Sequence, residues 1–329
     1  MIIICKSALA RIVFSVIIYD MEDKIQQLKY KSLTWINITN PTAKEIEYLR
    51  DNFDFHPLDF EDCLSPAQRP KLDEYSHYIF MILTFPYYDR IKRRITASEV
   101  DFFIGPNYII TLNDGLLSPI INLFRQCQVN EFLREKYMEN GNLQLLHELL
   151  NKLQTYCFPI IDHINHDIDE MEKIIFSGNE KKMVEEILII KRNIVNFRNI
   201  MQAHKNIIKK LISLSNKYFI PSESIVYLAN LLERTKDIWD ILEGQKETIE
   251  ALHNTNESLI SFRLNDIMKT LTIFSVIVFP LTLLAAIFGM NIMGGMPFLN
   301  SRYGFWLIIV IMLTGCLCML WFFKKKKWL

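Results

Sequence analysis

The stretch that decides the fold is residues 265–291, NDIMKTLTIFSVIVFPLTLLAAIFGMN. Its central run, Leu271 to Phe288, carries no charged side chain, and residues 303–323, YGFWLIIVIMLTGCLCMLWFF, carry none either. A bilayer core about 30 Å thick needs roughly 20 helical residues at about 1.5 Å each. With Ile267 to Leu271 helping, both runs are long enough to span it. Trp306, Trp321 and Trp328 flank the second run, as interfacial aromatic residues do. Buried helices of a soluble protein are the competing reading, and two adjacent runs of this length speak against it.

The flanks give direction. Four lysines, 324–327, follow the second run, whereas the connecting loop 292–302 holds one basic residue, Arg302. Basic residues stay on the cytoplasmic side. The sequence therefore predicts a large cytoplasmic N-terminal part, a first transmembrane helix over 267–290, an external loop over 291–302, a second transmembrane helix over 303–323 and a basic cytoplasmic tail over 324–329. The N-terminal stretch MIIICKSALARIVFSVIIYD has a short apolar run, Ile12 to Tyr19, with no small-residue cleavage site behind it. It reads as a β-strand rather than a secretion signal.

Hydrophobic residues make up 50% of the chain, and the excess lies at the C-terminal end. Lys+Arg and Asp+Glu both number 37, so the net charge is +0 and nothing attracts nucleic acid in bulk. Cys5, Cys63, Cys127, Cys157, Cys316 and Cys318 are scattered without metal-ligand spacing, and they read as reduced packing residues. No Gly-rich phosphate loop, nucleophile elbow or HExxH motif occurs, which argues against an enzyme.

Residues 1–140 mix strand and helix patterns and predict a cytoplasmic α/β domain. YIFMILTFPYY (78–88) reads as a buried strand, and VDFFIGPNYIITLND (100–114) as two strands around Gly105-Pro106-Asn107. PTAKEIEYLRDNF (41–53) reads as a helix. Residues 141–266 predict a helical part with helices at 143–176, 180–215 and 222 onward, and with a kink at Pro159. The third, read as continuous from Ser222 to Phe288, has roughly 67 residues and a length of about 100 Å. Such a helix needs partners along its length. Ile225, Leu228, Leu232, Trp239, Leu242 and Ile249 recur at 3,4 spacing, which predicts side-by-side packing of like helices. The stripe turns polar at Asn256.

Continued into the bilayer, that face carries Asn265, Met268, Leu271 or Thr272, Ser275, Phe279, Thr282, Ala286 and Gly289. Ser, Thr, Ala and Gly are also common at helix contacts in lipid, so the spacing leaves two readings, a pore wall or a helix contact. A pore needs an oligomer, since two spans enclose nothing. Asn291 would then present an amide oxygen to the axis of a ring. Magnesium keeps several of its waters, and a neutral amide oxygen can accept hydrogen bonds from that water shell. Gly289 would let the backbone turn as the helix ends, and Gly294, Gly295 and Pro297 would supply a tight outer turn.

Gly289-Met290-Asn291 at the end of the first of two C-terminal spans resembles the signature of the CorA family of divalent-cation transporters. Residues 265–291 look like that family's pore helix, and WINITNPTAKEIEYL (35–49) and HPLDFEDCLSPAQRPKLDEYSHYIFMIL (56–83) resemble its N-terminal domain. The resemblance implies an α+β fold: an N-terminal cytoplasmic α/β/α domain, a very long stalk helix continuous with the first transmembrane helix, and a funnel-shaped homopentamer. It implies Mg2+, with Co2+ or Ni2+ as further cargo, as both the transported and the regulatory ion. It also implies a selectivity filter at Gly289, Met290 and Asn291, a hydrophobic gate at Met268 and Leu271, and polar pore positions at Asn265 and Thr282. The membrane would be the cell inner (plasma) membrane, with both termini cytoplasmic.

Two features depart from the family pattern. Loop 292–302 has no acidic residue, and its GGMP form is closer to the ZntB-like, zinc-carrying branch. Where a regulatory aspartate is expected on the long helix, the chain has Asn230, so Glu233, Asp237 and Asp240 become the candidate metal ligands. DHINHDIDEME (162–172) places Asp162, His166 and Asp169 on one face, with His163, Asp167 and Glu170 beside it, either a transition-metal site or a solvated acidic face. HPLDFED (56–62) reads as a structural loop. A Zn2+ transporter and a non-conducting membrane scaffold are the alternative functions.

Overall fold

The computed structural model describes residues 24–65, 69–178, 180–218, 225–290, 297, 302–326 and 328. The expected strand at Ile12 to Tyr19 lies outside them. The chain divides into two compact units. One comprises the chain up to Ile174 together with Glu185–Leu252, and the other joins Ile175–Val184 to His253–Leu329.

The first unit is built on a six-stranded sheet, with β1 (Ile25–Tyr30), β2 (Leu33–Thr39), β3 (Lys71–Glu74), β4 (Ile79–Asp89), β5 (Arg94–Ile104) and β6 (Tyr108–Asn113) in the order β1-β2-β6-β5-β4-β3. Only β2 and β6 run parallel. The expected strands over 78–88 and 100–114 are present as β4, β5 and β6. β5 and β6 turn at Gly105, where a Cβ would overlap the Tyr108 ring at 2.2 Å, so only glycine fits.

Strand side chains alternate between faces, so each face of this sheet can be buried. One face meets α1 (Ala43–Asn52) and α2 (Pro57–Leu64) through Ile36, Ile46, Leu49, Phe60, Phe80 and Phe103. On the other face, Trp35 packs edge-on against Phe124 of α3 (Ser118–Val129) and donates from Nε1 to Thr111 Oγ1 at 3.1 Å. α4 (Glu131–Met138) follows α3. The region is an α/β/α layer.

The HPLDFED stretch is helical, not a loop. His56 caps α2, its Nδ1 accepting from the Leu58 N–H at 3.3 Å, and Pro57 occupies the first turn, where its missing N–H costs nothing. Asp59 is buried and accepts from the Tyr75 and Tyr78 hydroxyls at 3.0 and 2.7 Å. Its role is structural.

The remaining helices are α5 (Asn142–Phe176), which passes through Pro159, α6 (Glu180–Met201), α7 (His204–Tyr218), α8 (Ile225–Phe288) and α9 (Gly304–Lys325). The single helix expected over 180–215 is therefore two. No Gly or Pro marks the break. His204 inserts instead at the start of α7, fully buried, with Nε2 2.7 Å from the Thr84 carbonyl and its ring edge-on to Phe85. Burial lowers its pKa to about 4, so it stays neutral.

In the second unit, α5 hands over to α6 at Gly178, whose φ of +100 places it in the left-handed region. The Arg263 guanidinium donates to the Gly178 carbonyl at 2.9 Å.

Candidate functional site

The long helix α8 carries two stripes, and their register defines the site. Leu228, Leu231, Thr235, Ile238, Leu242, Gln245, Ile249 and Leu252 are all buried, at alternating steps of three and four. That 3.5-residue period is the seam of a left-handed coiled coil. The partner is the same chain. In the first unit, Gln154 of α5 donates to Thr235 Oγ1 at 2.8 Å, and Gln245 donates to the Ile161 carbonyl at 2.9 Å. Lys191 of α6 lies 3.7 Å from Glu250, and Arg198 pairs with Glu243.

This corrects the expectation that the apolar stripe packs like helices together. Leu228, Leu242 and Ile249 are consumed within the subunit, and Leu232 and Trp239 stand half-covered at its edge. Asn256 also belongs to the buried stripe. It is 1% exposed, and neither amide atom meets a hydrogen-bond partner among the described residues. Nine residues separate Asn256 from Asn265, which is two and a half helical turns, so the two amides point in opposite directions. Asn265 does not continue the Asn256 face.

The stripe that does lead into the first span starts elsewhere. Glu233, Asp237, Asp240, Gly244, Glu247 and Ala251 follow at steps of four and three, all exposed. Asn254, Ser258, Ser261 and Asn265 extend it without a break, again exposed. Asn254, Ser258, Ser261 and Asn265 line one open groove. Met268, Thr272, Ser275, Phe279, Thr282, Ala286 and Gly289 complete the series in the same 4,3 rhythm. Of these only Ser275 is half-covered, and Phe279 is 70% exposed. Leu271, beside the stripe, is 59% exposed. Sequence reading missed Asn254, Ser258 and Ser261, although counting backward from Asn265 at the same spacing finds them.

The opposite side of the first span is the covered one. Ile273 is buried, and Ile277, Leu281, Leu284 and Phe288 are half-covered at helical spacing. On α9 the matching row is Gly304, Ile308, Met312, Met319 and Phe323. The covered row of the first span therefore lies on the side of α8 opposite the stripe running from Asn265 to Gly289. Trp306 and Trp321, both 65% exposed, mark the two ends of α9.

The hydroxyls on the exposed stripe are internally satisfied. Thr272, Ser275 and Thr282 donate to the carbonyls of Met268, Leu271 and Val278 at 2.8, 2.9 and 2.9 Å. A hydroxyl that back-bonds in this way is tolerated in an apolar setting and keeps its oxygen lone pairs outward as acceptors. At the helix end the Gly289 N–H still donates to Ala285 at 2.9 Å, and the Met290 N–H tightens to Ile287 at 3.3 Å. Gly289 does not adopt the left-handed region. A Cβ there would lie 3.1 Å from the Ala285 carbonyl oxygen of the same helix. Asn291 lies outside the described residues.

Glu233, Asp237 and Asp240 share one exposed face of α8, and His163 pairs loosely with Asp167 at 3.8 Å. Nowhere among the described residues do three His, Cys, Asp or Glu side chains converge as metal ligands. Cys63, Cys127 and Cys157 are free and buried.

The comparisons with known proteins agree with this layout. The cobalt/magnesium transport protein CorA of Thermotoga maritima is 27% identical over 312 residues, covering 94% of this chain and 87% of its own. The complete structure of the CorA magnesium transporter from Methanocaldococcus jannaschii superimposes with a TM-score of 0.80 at 20% identity, covering 92% of this chain and 94% of that one. The full-length CmaX protein gives 0.71 at 18% identity, covering 90% and 89%. Residues 30–325 match the family described as CorA-like Mg2+ transporter protein. With two apolar C-terminal helices and one polar, uncovered stripe leading into the first, this chain belongs to the CorA-like Mg2+ transporter family, whose members are membrane transporters and not enzymes.

Proposed function

We propose that the chain is the subunit of a homopentameric channel that carries Mg2+ inward across the cell membrane, with Co2+ or Ni2+ as secondary cargo. The observation that carries this reading is the uncovered stripe of α8. Acids give way along it to amides and hydroxyls, and then to small and hydroxyl-bearing positions that end beside Asn291. Copies of α8 arranged around an axis would turn this stripe inward, because the opposite side already packs within the subunit. Each copy would bring Asn291 to the outer mouth, where amide oxygens hold a hydrated divalent ion through its water shell. Met268 and Leu271 would close a dry constriction near the inner face. Two positive charges crossing 100 mV gain about 4.6 kcal/mol, enough to drive uptake without a second gradient. Internal Mg2+ bound near Glu233, Asp237 and Asp240 would favour the closed state.

Flux into proteoliposomes tests this directly. The purified chain is expected to admit Mg2+ under an inside-negative potential, without a proton gradient, and Asn291→Ala is expected to abolish selective uptake while the oligomer persists. Uptake of Zn2+ that requires a proton gradient would instead assign the ZntB-like activity suggested by the GGMP loop. No flux of any divalent ion would make the protein a membrane scaffold.

A further inference from the structure

The turn between α5 and α6 carries side chains that the packing of those helices does not explain. Ile175 and Met183 are buried, so each helix end already has an apolar anchor. Phe176 and Val184, the residues beside them, stand 64% and 38% exposed. Lys181 and Lys182 are exposed in the first turn of α6, where the helix dipole favours anions rather than cations. From residue 174 to residue 184 the chain has one acid, Glu180. The place of the turn within the second unit supplies a reason for this composition. Arg263 of α8 donates to the Gly178 carbonyl at 2.9 Å. Arg263 precedes Ile267, where the first span is expected to begin, by four residues, which is about 6 Å along the helix axis. A large apolar side chain flanked by lysines at that level suits the boundary between headgroups and acyl chains.

We propose that the α5–α6 turn is a docking surface for the anionic lipid headgroups of the cytoplasmic leaflet. Phe176 enters the interfacial layer, and Lys181 and Lys182 pair with headgroup phosphates. The proposal rests on the reading that α8 and α9 cross the membrane with the basic tail inside, and it does not depend on conduction. Charge selects the occupant. The cytoplasmic leaflet carries a negative surface potential that attracts basic segments within a Debye length. Lys324, Lys325 and Lys326, exposed after the second span, belong to the same side of the membrane by the positive-inside rule. Acids set the limit of the contact. Asp169, Glu170 and Glu172 are exposed on α5 one to two helical turns before Phe176, and the same leaflet repels them. Glu170 is offset by Lys173 at 2.8 Å, whereas Lys181 and Lys182 stand beyond the acids, on the far side of the turn. Docking is therefore confined to the turn itself.

Hydrogen–deuterium exchange of the full chain in lipid nanodiscs tests the contact. In phosphatidylglycerol discs the amides of residues 174–184 should exchange at least about fivefold more slowly than in phosphatidylcholine discs, the effect expected of one net lysine at an anionic surface. Lys181→Glu combined with Lys182→Glu should erase that difference. Phe176→Ser should speed exchange of the turn in both lipids. All three side chains are exposed, so the fold should persist, and unchanged exchange of β4 to β6 verifies it. The comparison of the two lipids on the parent chain needs no variant. Equal exchange of the parent turn in both lipids, with the amides of 271–288 and 304–323 protected, would overturn the proposal and leave the spans in place. Rapid exchange of 271–288 and 304–323 would overturn the membrane reading, and the docking with it. Slow exchange that neither the lipid nor Phe176→Ser alters would overturn the proposal and assign the turn to a protein contact.

Discussion

The two stripes of α8 obey the same 3,4 rhythm and have opposite fates. One is apolar with occasional amides, and it is buried against α5 and α6 of its own subunit. The other holds acids, amides, hydroxyls and small residues, and the chain leaves it uncovered from Glu233 to Gly289. A heptad pattern therefore states that a helix face has a partner or a role, but not which. Hydrophobic burial claims the apolar stripe first, since each fully buried Leu or Ile contributes about 1.5–3 kcal/mol. The stripe with little apolar area to bury is left uncovered.

Charge placed on each stripe in turn is the strongest way to break this contrast. Leu242 is fully buried, so Leu242→Lys should destabilise the first unit by more than about 4 kcal/mol, or prevent its folding, because an ammonium would lose its water without gaining a counter-ion. Gly244, two residues on, has nothing within 4 Å of an added Cβ. Gly244→Lys should leave the chain as stable or raise its stability by up to about 1 kcal/mol, because lysine is the better helix former. Urea unfolding followed by circular dichroism measures both, and equal losses would mean that the second stripe is not free.

A smaller effect is expected at Asn256, where the covered stripe carries an amide with no hydrogen-bond partner among the described residues. Asn256→Leu should raise the unfolding free energy by about 1–3 kcal/mol, since two buried polar atoms no longer go unsatisfied. A drop in thermal stability would show instead that the amide finds a partner in the assembled protein.

The smallest structural effect belongs to the acids of the uncovered stripe. Neutralising Glu233, Asp237 and Asp240 together should change stability by less than about 0.5 kcal/mol per site, because all three are exposed. Inhibition of the currents by internal Mg2+ should nevertheless weaken. Unchanged inhibition would remove these residues from the sensor.

Much of this architecture was legible from local pattern. The two spans follow from length and charge alone, and β4, β5 and β6 follow from buried runs broken at Gly105. The family follows from Gly289-Met290-Asn291 set between the spans, together with the likeness of residues 35–49 and 56–83 to its N-terminal domain. What escaped was only partly signalled locally. α2 carries its own start signals in the His56 cap and Pro57, but the contacts that bury Asp59, from Tyr75 and Tyr78, come from farther along the chain. The break between α6 and α7 was hidden because it is made by His204 meeting Thr84, 120 residues away. The upstream course of the polar stripe was mistaken because Asn256 and Asn265 look alike in sequence and differ by half a turn in space.

The sequence by itself determined that two C-terminal helices are long and apolar enough to cross a membrane, that a sheet domain precedes them and that a very long helix joins the two, because charge, length and periodicity act over short distances. Only the tertiary structure decided which stripe of that helix is spent inside the subunit and which is left uncovered. That choice depends on α5 and α6, which meet α8 from about 80 and about 50 residues earlier in the chain.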